Sequence, residues 1–132
     1  MSELLAWHWM AERDGRPVYR DGRVCTVGET LRHGGPLVMC DEGLHASESI
    51  LDALQYAPGT WVARVRVSGE MLRDADKLCC RERTPLALGD AHIVVVRLAG
   101  RCALRALERE RATGREPDNR SWAGARLAAS FT

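Results

Sequence analysis

The side chains best able to do chemistry are concentrated in residues 40–69, CDEGLHASESILDALQYAPGTWVARVRVSG. His45 follows a glycine turn and precedes an expected helix start, where backbone N–H groups favour negative charge. It reads either as a ligand-facing imidazole or as a histidine bonded to the Asp41–Glu42 turn. Tyr56, near the end of that helix, serves as core filler or capping ring, or as a ring facing a ligand. Arg64 and Arg66 stand two apart on an alternating strand, which makes them an anion-binding pair or a solvated face. Outside the block, His8 is the only titratable group in LLAWHWM, read as buried and backbone-bonded or as facing a ligand. The five cysteines (Cys25, Cys40, Cys79, Cys80 and Cys102) lack C-x-x-C spacing and an accompanying histidine pair, so they read as reduced thiols and no metal is expected. No phosphate loop or nucleophile elbow is present.

These groups sit in a chain of 132 residues, enough for one domain with a real core. Nineteen basic and 18 acidic residues leave a formal net charge of +1, so no global field draws the chain to nucleic acid or an anionic membrane. Every basic residue except Lys77 is arginine. The first 15 residues lack a basic n-region and a long apolar core, and no apolar run is long enough for a bilayer span. A cytoplasmic protein without membrane contact is expected.

Alternation predicts a first strand over residues 4–10, a turn over 11–16, and a hairpin of 17–19 with 23–27 about Asp21-Gly22. Short strands are expected at 37–40 and 44–46. Ser47 is the expected N-cap of a helix over 49–56, with Ile50, Ala53, Leu54 and Ala57 on one face and Pro58-Gly59 as its stop. Residues 61–67 (WVARVRV) alternate strictly, which puts Arg64 and Arg66 outward on a half-buried antiparallel strand ending at Gly69. A further strand over 78–83 is broken by Pro85. Residues 91–98 fit a strand by β-branching and a helix by spacing. A helix over 101–112 and a last short helix over 120–131 follow, the latter with Trp122, Ala125 and Ala129 on one side. The expected fold is α+β: one domain with a twisted antiparallel sheet over residues 1–99 around one central helix, and C-terminal helices over 100–132 packed on it.

Cys40, Gly43-Leu44-His45-Ala46-Ser47, Asp52-Ala53-Leu54, Tyr56-Ala57-Pro58-Gly59, Val65, Val67, Gly69 and Asp76-Lys77 resemble a family of small phage and bacterial domains with no established activity. The same block more distantly resembles the middle of ADP-ribosyltransferases of the His-Tyr-Glu type. That likeness matches His8 to the ligand-holding histidine, puts His45 where the family has tyrosine, and aligns residues 49–56 and 61–69 with its helix and following strand. It implies an NAD pocket near His8, His45 and Tyr56. Glu82 is the best candidate for the late carboxylate and Glu70 the second, although neither occupies an obvious matching position. At the C-terminus, Leu98-Ala99-x-x-Cys102-Ala103-x-x-Ala106-Leu107 with Pro117-Asp118-x-Arg120-Ser121 resembles the helical repeat start of bacterial immunity-type proteins, which implies one long helix from about residue 90.

Two functional readings follow. The first is a non-catalytic protein-binding module, such as a phage-encoded inhibitor of a host defence or CRISPR complex. It would act through a Trp- and Arg-containing surface with Arg64, Arg66 and Trp122 as binding residues, since Trp and Arg are enriched as interface anchors. It needs no cofactor, expects a protein partner and admits a homodimer. The alternative is an ADP-ribosyltransferase-like enzyme that binds NAD and uses His8, His45, Tyr56 and Glu82.

Overall fold

The computed structural model describes residues 3–132. The fold is α+β. The chain divides into two compact units, one running to Asp90 and the other from Ala91 to Thr132. The expected division at 99/100 falls inside a helix.

The first unit is a curled antiparallel sheet. Its strands are β1 (Glu3–Arg13), β2 (Arg16–Val18), β3 (Leu31–Arg32), β4 (Leu44–Ala46), β5 (Trp61–Arg73) and β6 (Leu78–Asp90). They follow the order β2-β1-β5-β6-β3, and β4 also pairs with β6. Ser47, directly after β4, exchanges both backbone hydrogen bonds with Trp7 of β1, at 2.7 and 3.0 Å. That single bridge turns the curl back on itself. On its inner side, Ala6 and Met10 lie opposite Val65 and Trp61, and with Val67, Leu78 and Cys80 they build the core.

Several strands outrun their sequence signals. β1 continues to Arg13 because Asp14 and Gly15 both take positive φ, 52° and 76°, and turn the chain directly into β2. Such two-residue turns match the twist of paired strands. The expected strand over 23–27 reduces to a Val18–Val24 bridge and a Cys25 amide bonded to the Pro17 carbonyl. The one expected over 37–40 reduces to a Val38–Glu42 bridge. β5 passes through Gly69 rather than stopping there: Gly69 takes φ +80° within an irregularity between Ser68 and Met71. β6 likewise passes through Pro85, which sits beside the other register shift, where a missing N–H is tolerated.

Helix α1 (Ile50–Leu54) is short, and its N-cap is Ser49, whose hydroxyl accepts from the Asp52 amide, rather than Ser47. Ser47 is 2% exposed and committed to the Trp7 bridge. Of the predicted apolar face only Ala53 is fully buried, because the helix hangs on β1 through the Trp9 indole, which donates to the Ile50 carbonyl.

The second unit is a helix pair, α2 (His92–Ala112) and α3 (Asn119–Ala129). The ambiguous stretch 91–98 is helical and continuous with 101–112. Gly100 lies inside α2 because the α3 backbone runs against it: a Cβ there would stand 2.2 Å from the Ala129 nitrogen. That close approach offsets the roughly 1 kcal/mol that glycine costs in a helix. Asp118 caps α3 by accepting from the Arg120 amide at 2.7 Å.

Gly100→Ala should therefore destabilise the helix pair by about 1–3 kcal/mol through overpacking. Gly124→Ala, where a Cβ meets nothing within 4 Å, should stabilise it slightly. Thermal melts followed at 222 nm check both, and equal effects of the two substitutions would refute the close-approach account.

Candidate functional site

The centre of the sheet unit is Arg83 on β6, 4% exposed and paired in register with Val67 and Leu31. Its Nη1 donates to the His45 carbonyl at 2.6 Å and lies 3.4 Å from His8 Nδ1. Its guanidinium stands 5.1 Å from the centre of the Tyr19 ring, a cation–π contact. Its Nε is buried without a partner, and among the described residues no salt bridge engages this arginine. Burial lowers its affinity for the proton. The charge is held by one carbonyl, one imidazole and one aromatic face instead of a carboxylate.

The histidines respond in the expected direction. Burial, then the Arg83 charge, holds His8 well below the ordinary imidazole value. The same two causes in the same order lower His45. His45 Nε2 accepts the Cys40 amide proton at 2.9 Å, which requires that nitrogen to be unprotonated. Cys40 takes φ 67°, an uncommon conformation for a side-chain-bearing residue. Beyond it, the Cys40 thiol touches the Lys77 ammonium. Lys77 lies 4.9 Å from the centre of the Tyr56 ring, and the Tyr56 hydroxyl donates to Asp76 at 2.8 Å. A continuous polar path thus runs His8–Arg83–His45–Cys40–Lys77–Tyr56–Asp76, from the interior to the surface.

Sequence reasoning named His8, His45 and Tyr56, and the structure places all three on this path. It does not bring them to one point, because Tyr56 is exposed and turned to Asp76. Glu82 lies off the path. One of its oxygens is 3.4 Å from Arg32 Nε, and the other accepts from the Ser68 hydroxyl at 3.3 Å. Glu70 pairs with Arg81 at 2.8 Å. Arg64 and Arg66 face outward as predicted, Arg64 lying 4.6 Å from the centre of the Trp7 ring and Arg66 exposed. Trp122, expected as a surface anchor, is 5% exposed and stacked with Arg111 at 4.1 Å and Arg126 at 5.5 Å. It holds the helix pair together and offers no open face.

The reading missed Arg83 and Tyr19. In Arg81-Glu82-Arg83 the neighbouring charges resemble a solvated face, and only the curl of the sheet turns one of the three inward.

A family described as "Domain of unknown function (DUF7666)" matches residues 19–96, more than half of the chain. The chain belongs to the DUF7666 family. No curated protein and no solved structure matches it. The DUF7666 stretch contains Tyr19, Cys40, His45, Tyr56, Asp76, Lys77 and Arg83, and with them every member of the polar path except His8.

Arg83→Ala should cost about 2–4 kcal/mol, from a cavity and an unsatisfied carbonyl. Arg83→Met, which fills the space but leaves the His45 carbonyl unsatisfied, should recover the cavity share of that loss and still cost about 1–2 kcal/mol. Urea denaturation separates these, and a methionine variant as stable as wild type would remove the carbonyl bond from the account.

Both histidines bind protons less readily when folded, so the unfolded chain takes up protons first as the pH falls. Their contribution to stability is complete above about pH 6.5 and declines below it, toward the folded-state values. The unfolding free energy from urea titrations should fall between pH 6.5 and 5, with His8 contributing a slope of up to about 1.4 kcal/mol per pH unit and His45 adding to it in the same direction. His8→Gln should flatten that slope by about one proton, and an unchanged slope would remove His8 from the account.

Proposed function

We propose that the chain is a non-catalytic protein-binding module that docks through the outer face of β1 and β5. The observation that carries this reading is a contiguous quartet on that face. Leu5 is paired in register with Arg66, and Trp7 with Arg64. Leu5 is 50% exposed, Arg66 is exposed, and Trp7 and Arg64 are half-buried against each other. An aromatic ring already stacked by a guanidinium, with an apolar side chain and a second cation beside it, is the composition of an interface anchor. Its chemistry suits a partner segment that combines an apolar side chain with carboxylates.

The NAD alternative receives less support. Of its four residues, His8 is engaged with Arg83, Tyr56 with Asp76, and Glu82 with Arg32 and Ser68. A catalytic pocket needs its groups directed at one reacting centre.

Two measurements test the proposal together. Immobilised wild-type protein should retain a binding partner that the Arg66→Glu and Arg64→Glu/Arg66→Glu variants lose, while far-UV spectra stay unchanged. Equal retention by the variants would overturn the assigned face. Millimolar NAD should leave the melting temperature unchanged. A rise that vanishes in His45→Ala would replace this reading with the enzymatic one, because only specific binding stabilises the native state in this way.

A further inference from the structure

The near-neutral net charge conceals a division between the two units. Residues 91–132 carry eight arginines against four acidic residues, a net +4. Residues 1–90 carry ten arginines and one lysine against 14 acidic residues, a net −3. Such a charge asymmetry is the compositional pattern of chains in which one part contacts a polyanion.

Within the helix pair the positive charge is ordered. Arg97, Arg101, Arg105 and Arg109 recur every four residues along α2, which spaces neighbours about 6 Å apart and spans about 18 Å. Arg101, Arg105 and Arg109 are exposed. Among the described residues no salt bridge or side-chain hydrogen bond engages these three, whereas Arg97 donates to the Phe131 carbonyl. Other arginines of the same unit are neutralised: Arg111 pairs with Glu116 at 3.1 Å and Arg120 with Asp118 at 3.2 Å. Of the two acidic residues on α2, Glu108 borders the row and Glu110 is turned well away from it by the helical repeat.

A row of guanidinium groups at this spacing fits a row of phosphates. Guanidinium forks bind phosphate oxygens in two-point fashion, and a stacked strand presents one phosphate about every 3.4 Å of axis. The part from Arg101 to Arg109 spans about 12 Å and therefore faces three to four phosphates. The row repeats one cationic side chain at a fixed interval, which matches the uniform repeat of the backbone, so the contact it offers is to phosphates.

We propose that the Arg101–Arg105–Arg109 face of α2 is a binding surface for the phosphate backbone of nucleic acid. This proposal rests on α2 alone and does not depend on the reading of the β1–β5 face.

The test is fluorescence anisotropy of a labelled 20-base-pair DNA duplex with the full chain, titrated at several salt concentrations. Wild-type protein should bind at 50 mM salt and weaken steeply as salt rises. Arg101→Gln/Arg105→Gln/Arg109→Gln, which keeps good helix formers at each position, should weaken binding at least tenfold. It should also reduce the slope of log K against log salt by roughly 2–3, the release expected from three phosphate contacts. Arg16→Gln/Arg20→Gln/Arg23→Gln, which removes three arginines from the sheet unit, should change neither quantity appreciably. The proposal is overturned if wild-type protein does not bind, or if the α2 variant binds like wild type. It is equally overturned if polyglutamate of matched charge competes as well as the duplex, which would point to an acidic protein. Tighter binding to vesicles containing phosphatidylserine than to the duplex would assign the face to a membrane surface instead.

Discussion

The hydrogen bond from Arg83 to the His45 carbonyl is the contact on which the sheet unit depends. A curled sheet that closes through one bridge, Trp7 with Ser47, leaves backbone groups beside the bridge without ladder partners. Buried carbonyls without partners are costly, and a strand cannot continue where the two edges diverge. Arg83 reaches across from β6 and satisfies the carbonyl with its side chain. Desolvation of the guanidinium opposes the arrangement, and the Tyr19 ring with the lone pair of His8 offsets part of it. Burial first, and then this charge, lowers the proton affinity of both histidines. One side chain thereby links the closure of the sheet to the protonation of its interior.

The polar path leading out from Arg83 runs almost entirely through the stretch that the DUF7666 family covers. His45 holds the Cys40 loop by its amide, Lys77 bridges the Cys40 thiol and the Tyr56 ring, and Asp76 anchors Tyr56 and Gln55. These contacts tie β4, α1 and the β5–β6 turn together within the DUF7666 stretch.

The two units are built by opposite strategies. The sheet unit has a continuous apolar core and an acidic balance. The helix pair is basic and, among its buried residues, relies on Gly100, Trp122 and Ala125. Small side chains at Gly100 and Ala125 let the helices approach closely, and stacking of Arg111 and Arg126 on Trp122 covers the one large ring. Such a unit leaves much of its surface available for contacts, and charge is its main distinguishing property.

Local patterns were legible where one physical cause dominated. Strict alternation in WVARVRV put Ala63, Val65 and Val67 inward and Arg64 and Arg66 outward, as the sheet has them. The alanine-rich spacing after residue 100 implied helices, and Asp118 stands where α3 is capped. The α+β class follows from those signals alone. Strand length was not legible, because Asp14-Gly15, Gly69 and Pro85 read as stops, whereas paired neighbours absorb each as a turn or bulge. Trp122 was misplaced and Arg83 missed for the same reason. Hydrophobicity and charge along a chain describe average exposure, whereas burial of one particular tryptophan or arginine depends on which distant carbonyl, ring or backbone it meets. By itself the sequence determined the α+β class, the inward face of β5, the helices after residue 100 and the opposite charges of the two units. Only the tertiary structure decided that Arg83 is interior, that His8 and His45 share it, and that Tyr56 faces the surface. The reason is that each of these rests on contacts between residues tens of positions apart, such as Arg83 with His8 and Tyr56 with Asp76.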